Sequence, residues 1–347
     1  MGILISMRTI LQTISRSRVR FIILLLLVTI SIVVSLIYNP GVEQLARRQT
    51  NSLSPESPTR TKVVAHALGE VEIPVHPTRV IVLDEQLLLD PVLTLGVKPI
   101  GVLPCQGCEE NFRGIPDDLV AGISRVSGSG SEPSLEKILS LKPDLILART
   151  HLSNSYKLLS KIAPTVIVDF SKLYDFKERL RYIANVLEKR DLAETLLNQY
   201  QGRVQILREQ LESQLETKTV SVIYLARSAD VFYTYKPDFL AYGQILRDIG
   251  LQRPFPQQNQ IELESVLSLE ALPEHDADIL FIMTEFLTAE FRQKISEDLS
   301  FLKHPIWSQL KAVQNNQVYR VNWTVGGLIG ANRILDDLEK YLVRQGE

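Results

Sequence analysis

Residues 191–216 read DLAETLLNQYQGRVQILREQLESQLE, and the reading of this stretch decides the fold. Leu192, Leu196, Tyr200, Val204, Leu207, Leu211 and Leu215 recur at steps of three and four, the spacing of one helical face. Asp191 followed by Glu194 has the form of an N-terminal capping box. No proline interrupts the run, and only Gly202 weakens it. At about 1.5 Å per residue such a helix is about 39 Å long, enough to cross a small domain. Strand-like and helix-like segments alternate on both sides of it. The stretch therefore reads as a strut between two α/β lobes, with a long helix inside one continuous domain as the alternative.

The 347 residues suffice for two domains of ordinary size. Thirty-eight basic against forty acidic side chains give a net charge of −2, which argues against a nucleic-acid surface. The only cysteines are Cys105 and Cys108. Two cysteines exclude a disulfide-stapled scaffold and, from one chain, an iron–sulfur or four-cysteine zinc site.

Residues 21–38 carry no charge, and as a helix they span about 27 Å, close to the thickness of a bilayer core. Arg8, Arg16, Arg18 and Arg20 precede the run, against Arg47 and Arg48 after it, which keeps the N-terminus in the cytoplasm. An uncleaved transmembrane anchor is expected, with a cleaved export signal as the alternative; either places the body outside the cytoplasm. Residues 39–62 are rich in Ser, Thr, Pro, Gln and Arg and read as a tether. The expected plan is 1–38 tail and anchor, 39–62 tether, 63–190 first lobe, 191–216 linking helix, 217–347 second lobe.

After a hairpin-like piece around Gly69, compact β-branched runs alternate with helical patterns. Residues 79–84 (RVIVLD), 98–103, 144–148 (DLILA) and 165–169 (TVIVD) read as buried parallel strands of the first lobe. Residues 219–226 (TVSVIYLA), 278–283 (DILFIM) and 317–322 (QVYRVN) read likewise in the second, with residues 263–272 as a helix between them. The expected class is α/β, with parallel-type sheets in two Rossmann-like lobes. One echo stands out: Ser134-Leu135-Glu136 before the strand opening at Asp144, and Ser268-Leu269-Glu270 before the one opening at Asp278.

Enzyme signatures fail. Ser127-Gly128-Ser129-Gly130 lacks the glycine of a nucleophile elbow, and Pro133 stands where a dinucleotide fingerprint needs its third glycine. The five histidines, His66, His76, His151, His275 and His304, have no ligand spacing and read as scattered surface residues, so no resident metal or cofactor is expected. Cys105 and Cys108 read as a short-loop disulfide in an exported protein, with a redox-active pair as the alternative.

Open α/β sheets bind ligands beyond the carboxyl ends of their strands. That rule collects Asp84-Glu85-Gln86, Arg113 and Arg149-Thr150-His151 from the first lobe. From the second it collects Arg227, Tyr233, Tyr235, Thr284-Glu285 and Trp323. Guanidiniums pair with anionic oxygens and rings stack on flat ligands. Arg113, Arg149 and Arg227 are thus the expected anion contacts, and Tyr233, Tyr235 and Trp323 the expected walls.

Several segments carry a resemblance: Leu68-Gly69-Glu70 with Ile73-Pro74, residues 79–83, 95–102 (LGVKPIGV), 134–148 (SLEKILSLKPDLILA), 159–166 (LSKIAPTV), 245–250, 268–282 and 305–321. Together they resemble bacterial iron–siderophore substrate-binding proteins of ABC importers, over about residues 62–345. The resemblance implies two lobes joined by one backbone helix, a ferric siderophore in the cleft, and no metal ligands, because the chelator already saturates the iron. It implies a monomer on the periplasmic side of the cytoplasmic membrane that meets ABC permease subunits. Glu136 and Glu270 would dock onto permease arginines, each expected at the end of its strand opposite the ligand crevice. The lipid-anchor cysteine usual in that family is absent, the apolar run 21–38 standing in its place, and the cysteine loop is a further departure. A cobalamin- or haem-binding protein of the same fold is the nearest alternative, and a membrane-anchored sensor without transport is another.

Overall fold

A computed structural model describes residues 60–105, 112, 114–128, 132–225, 231–283, 304–324 and 326–344. The predicted anchor 21–38 and most of the tether, together with Cys108, Arg113, Arg227 and Thr284-Glu285, lie outside the described residues. Among the described residues no helix is long and apolar enough to cross a membrane.

A hairpin opens the described chain: β1 (Thr61–His66) pairs antiparallel with β2 (Gly69–Pro74), and Gly69 turns at φ 126, where a side chain is strained. The first lobe is built on β3 (Val80–Val82), β4 (Gly101–Val102), β5 (Ser124–Arg125), β6 (Leu145–Arg149) and β7 (Thr165–Val168). These lie in the order β5-β4-β3-β6-β7, every pair parallel. The second lobe holds β8 (Val220–Leu225), β9 (Val231–Tyr235), β10 (Glu264–Ser268), β11 (Ile279–Met283) and β12 (Val318–Val321). Their order, β10-β9-β8-β11-β12, is the same when each lobe's strands are counted from its own first. The echo between Glu136 and Glu270 thus reflects equivalent places, each before the fourth strand of its lobe.

Two expectations need correction here. The second sheet is mixed: β8–β11–β12 is parallel, but β8–β9 and β9–β10 are antiparallel. Residues 263–272 are not a helix: they contain β10 and the start of the 3-10 turn Leu269–His275. The strand and the turn together mimic helical spacing, while the pairing partner of β10 lies about 30 residues back.

The strut is real and shorter than expected. The linking helix is Arg190–Gln210, continued after a break at Leu211 by Glu212–Leu215. Its buried stripe is Ala193, Leu197, Tyr200, Val204, Leu207 and Leu211; the expected face holds from Tyr200 to Leu211, Leu196 and Leu215 pack half-buried against the core, and Leu192 is left exposed. The capping box is absent. The helix starts at Arg190, which puts Asp191 inside the first turn, and Glu194 pairs with Arg181 at 2.8 Å.

Helices from both lobes pack on that stripe. Phe176 of the Phe176–Val186 helix meets Tyr200 edge to face at 5.4 Å, and the Tyr200 hydroxyl donates to Asp248 at 2.9 Å. Lys177 pairs with the same Asp248 carboxylate at 2.6 Å. Across the seam, Gln244 of the Ala241–Ile249 helix accepts from the Phe176 amide at 3.1 Å and donates to the Tyr174 carbonyl at 3.0 Å. One continuous apolar core, which includes the linking helix, therefore runs through both lobes, with a separate cluster on the far face of each sheet.

Candidate functional site

Numbered within the first lobe, the strand order is 3-2-1-4-5. Its chain connections reverse between β3 and β6, where open α/β sheets form a ligand crevice. The side chains closing those strands meet there. Asp84, just past β3, takes the Leu87 amide on Oδ1 at 2.7 Å and the Arg149 guanidinium on Oδ2 at 2.8 Å. Arg149 ends β6, lies over the Phe170 ring at 4.7 Å, and keeps a buried Nε–H without a partner among the described residues. Glu85 accepts from the Cys105 amide at 3.0 Å, which fixes the start of the cysteine loop at the same edge. Cys105 is disulfide-bonded, and the second cysteine of the sequence, Cys108, lies outside the described residues.

Aromatic rings carry the site into the second lobe. Phe170 meets Tyr174 at 5.0 Å and Phe239 at 6.4 Å, and Tyr174 meets Phe239 at 5.9 Å, each edge to face. Phe239 stacks on Tyr235 at 5.9 Å, Tyr235 meets Tyr224 at 6.4 Å, and Tyr224 meets Tyr233 at 5.9 Å. The band is continuous from Arg149 to Tyr233. Tyr174, Phe239 and Tyr233 are its half-buried members. Val266, paired with Tyr233 in the β10–β9 register and 57% exposed, extends the second lobe's surface toward solvent.

Two expected walls change role. Trp323 is 1% exposed: its ring sits 4.5 Å from Phe281 and its indole N–H donates to Asp337 at 2.9 Å, so it is core and not a wall. Tyr235 is 8% exposed and backs Phe239. Burial and the neighbouring Glu264 carboxylate push its phenol above the ordinary range, so it stays neutral. Among the histidines, His275 is buried against Phe232 and is not a surface residue.

Besides Tyr174 and Phe239, which lie in connections and not at strand ends, three residues were missed by the strand-end rule, each for a traceable reason. Arg125 ends the two-residue β5, too short to show as a strand; it lies 4.6 Å over the Phe112 ring and leaves its buried Nη1 without a partner among the described residues. Phe170 stands directly past β7, and applying the rule to that strand would have selected it. Arg333, on the second lobe's Leu328–Leu338 helix, donates through Nη2 to the Gly114 carbonyl and also keeps a buried Nη1 without a partner among the described residues. Only the tertiary fold brings it to Gly114. Among the described residues no group of His, Cys, Asp and Glu could hold a metal ion.

Glu136 and Glu270 are exposed, and their place overturns one expectation. The Ser134 amide donates to Val126 at 2.8 Å, and the Val126 amide to Val102 at 2.9 Å, so Glu136 begins its helix at the carboxyl ends of β4 and β5. In the second sheet Ser268 pairs with Val231, one step past the pairing of Phe232 with Leu225, the last residue of β8. Glu270 therefore also sits at the carboxyl end. Both glutamates stand at the crevice end of their lobes, not the opposite end, because a crossover helix runs back antiparallel to the strand it follows. Their segments cover the far face of each sheet, burying Ile138 in one cluster and Leu269 and Leu272 in the other.

Two α/β lobes of like strand order on one linking helix, with arginines and rings gathered at the strand ends, define a two-lobed binding protein. The chain belongs to the periplasmic binding protein family, which its residues 121–322 match. It is 32% identical to the "Probable siderophore-binding lipoprotein YfiY" of Bacillus subtilis, over 85% of this chain and 92% of that protein. To the achromobactin-binding periplasmic protein of Dickeya dadantii it is 35% identical, over 76% of this chain and 86% of that one. The Staphylococcus aureus SirA structure complexed with staphyloferrin B superposes with a TM-score of 0.66 at 29% identity, covering 81% of this chain and 98% of that one.

Proposed function

We propose that this chain is an extracytoplasmic receptor that captures an anionic ferric siderophore between its lobes and, as a monomer, delivers it to an ABC importer. The names of its relatives supply the class of ligand. The observation that carries the anionic character is the trio Arg125, Arg149 and Arg333. Each holds a buried N–H with no partner among the described residues. Buried donors are normally satisfied, and a carboxylate-rich chelate would supply the missing acceptors in charge-assisted pairs. Tyr174, Phe239 and Tyr233 offer rings for the flat parts of the chelator. Arg113 and Arg227 remain candidates for further anion contacts. Iron arrives here as cargo within its chelator, and the chain is not an enzyme.

Isothermal titration against ferric citrate, a neutral ferric trihydroxamate, haem and cobalamin tests this. Ferric citrate is expected to bind most tightly of the four and to weaken as salt rises. Preferential binding of haem or cobalamin, or of the neutral chelate with no salt dependence, would overturn the anionic-siderophore reading. Loss of the gene leaving iron uptake intact would favour an anchored sensor.

The apolar run 21–38 is proposed to stay in the mature protein and hold the lobes at the outer face of the cytoplasmic membrane. The tether would then keep their local concentration near a permease high. N-terminal sequencing of the protein recovered from membranes is expected to find residues 21–38 present. A mature start within residues 39–62 would eliminate the anchor in favour of a cleaved signal.

A further inference from the structure

We propose that Asp90 and Arg179 are positioning residues for ligand binding, which clamp residues 326–330 of the second lobe against the first and hold the crevice at one width. The Leu328–Leu338 helix has Gly327 at its N-cap and no side-chain cap from its own segment. The cap comes from the other lobe. Asp90, fully buried, accepts from the Ile329 amide at 3.2 Å on Oδ1 and from the Gly330 amide at 3.0 Å on Oδ2, while Thr94 donates to Oδ1 at 3.0 Å. A carboxylate at this place satisfies two helix-start donors that would otherwise be buried without partners.

Arg179, 2% exposed, completes the clamp. Its Nη2 donates to the Gly326 carbonyl and its Nε to the Leu87 carbonyl at 3.1 Å. Burial lowers its pKa to about 10, opposed mainly by the Asp90 charge, so the guanidinium stays charged at neutral pH. The two glycines make the approach possible. A Cβ on Gly326 would lie 2.7 Å from Leu87 Cδ2 and 3.0 Å from the Gln86 carbonyl oxygen, and one on Gly327 would lie 2.3 Å from Asp90 Oδ1.

The same guanidinium supports the aromatic band from below. Its Nη1 donates to the carbonyls of Leu173 at 2.7 Å and Tyr174 at 3.1 Å, which fixes the backbone that carries the Tyr174 ring. Phe170 lies under both Arg149, at 4.7 Å, and Arg179, at 5.1 Å. One of the two side chains that set the lobe spacing, Arg179, is thus in contact with the buried ring beneath the aromatic band. The ligand half of the proposal rests on the crevice reading above; the clamp does not.

The test uses the full-length chain with spin labels on unnatural amino acids at exposed Lys161 and Glu262, one in each lobe. Asp90→Ala, Asp90→Asn and Gly327→Ala are compared with the parent by pulsed dipolar spectroscopy. A single narrow distance is expected in the parent, and a broadened or shifted one in Asp90→Ala and Gly327→Ala. Asp90→Asn, which keeps one acceptor oxygen, should fall between. If Asp90→Ala does not fold, the other two variants carry the same comparison. Distances identical to the parent in folded variants would overturn the clamp. Ferric citrate affinity supplies the second reading, expected to weaken about tenfold where the competent arrangement falls to about a tenth of the population. Altered distances with unchanged affinity would overturn the positioning role. Failure of the parent to bind ferric citrate would count against the crevice reading, and the distances would then decide the clamp by themselves.

Discussion

Arg125→Ala combined with Arg149→Ala is expected to weaken binding of an anionic ferric chelate by about two to four orders of magnitude. One charge-assisted contact is worth about 1.5–3 kcal/mol, or about ten- to a hundredfold in affinity. The two residues end different strands, β5 and β6, with β4 and β3 between them, so their losses should nearly add. Arg149 needs a control. It is paired with Asp84, which is 8% exposed, so its removal strands a buried carboxylate and lowers stability as well as affinity. Adding Asp84→Asn to Arg149→Ala should restore stability without restoring affinity. Arg149→Lys keeps the charge and loses the planar fork, and should sit between parent and alanine. Calorimetry on folded variants checks each step; near-parent affinity in the Arg125/Arg149 pair would remove this pocket from consideration.

Glu136→Ala with Glu270→Ala is expected to abolish siderophore-dependent iron uptake while fold and ligand affinity stay as in the parent. Both carboxylates are exposed and stand on short helical segments at the same end of topologically equivalent lobes. A hydrogen bond with Ser268 holds the Glu270 carboxyl below its ordinary range, so it is ionised wherever the importer works. A partner with two like subunits, each offering a guanidinium, could engage both glutamates at once across the crevice mouth. If the glutamates served only their own helix starts, the double variant would lose a little stability and transport normally. Charge reversal at both positions should be worse than alanine, since it sets like charges against the partner. Radiolabelled iron uptake alongside ligand titration separates the outcomes, and normal uptake by the double variant would end the docking assignment.

Local pattern accounts for much of the architecture. Runs such as RVIVLD, DLILA and DILFIM bury both faces, so their apolar continuity is itself the signal of a central strand. The strands β3, β6, β7, β8 and β11 were legible for that reason, as was the linking helix from its three-and-four spacing; β12 alternates instead, with Tyr319 and Val321 buried and Arg320 exposed. So were Asp84 and Arg149, because the end of a recognisable strand is a recognisable place. Arg125 was hidden because β5 is two residues long and owes its existence to β4 beside it.

The rest belongs to contacts between residues far apart in the chain. Trp323 follows β12 much as Arg149 ends β6, yet Phe281 and Asp337 draw it into the core. β10 is an edge strand, and nothing local to Glu264–Ser268 announces that β9 will pair with it. The cap of the last long helix comes from Asp90, whose partners are Ile329 and Gly330. By itself the sequence determined two α/β lobes on a helical strut and the ends of the strands at which a ligand would be met, because periodicity is a property of neighbours. The tertiary structure alone decided which of those side chains face the crevice, which are core, and what holds the lobes together. Burial and hydrogen-bond partnership there depend on groups that the fold, not the chain order, makes adjacent.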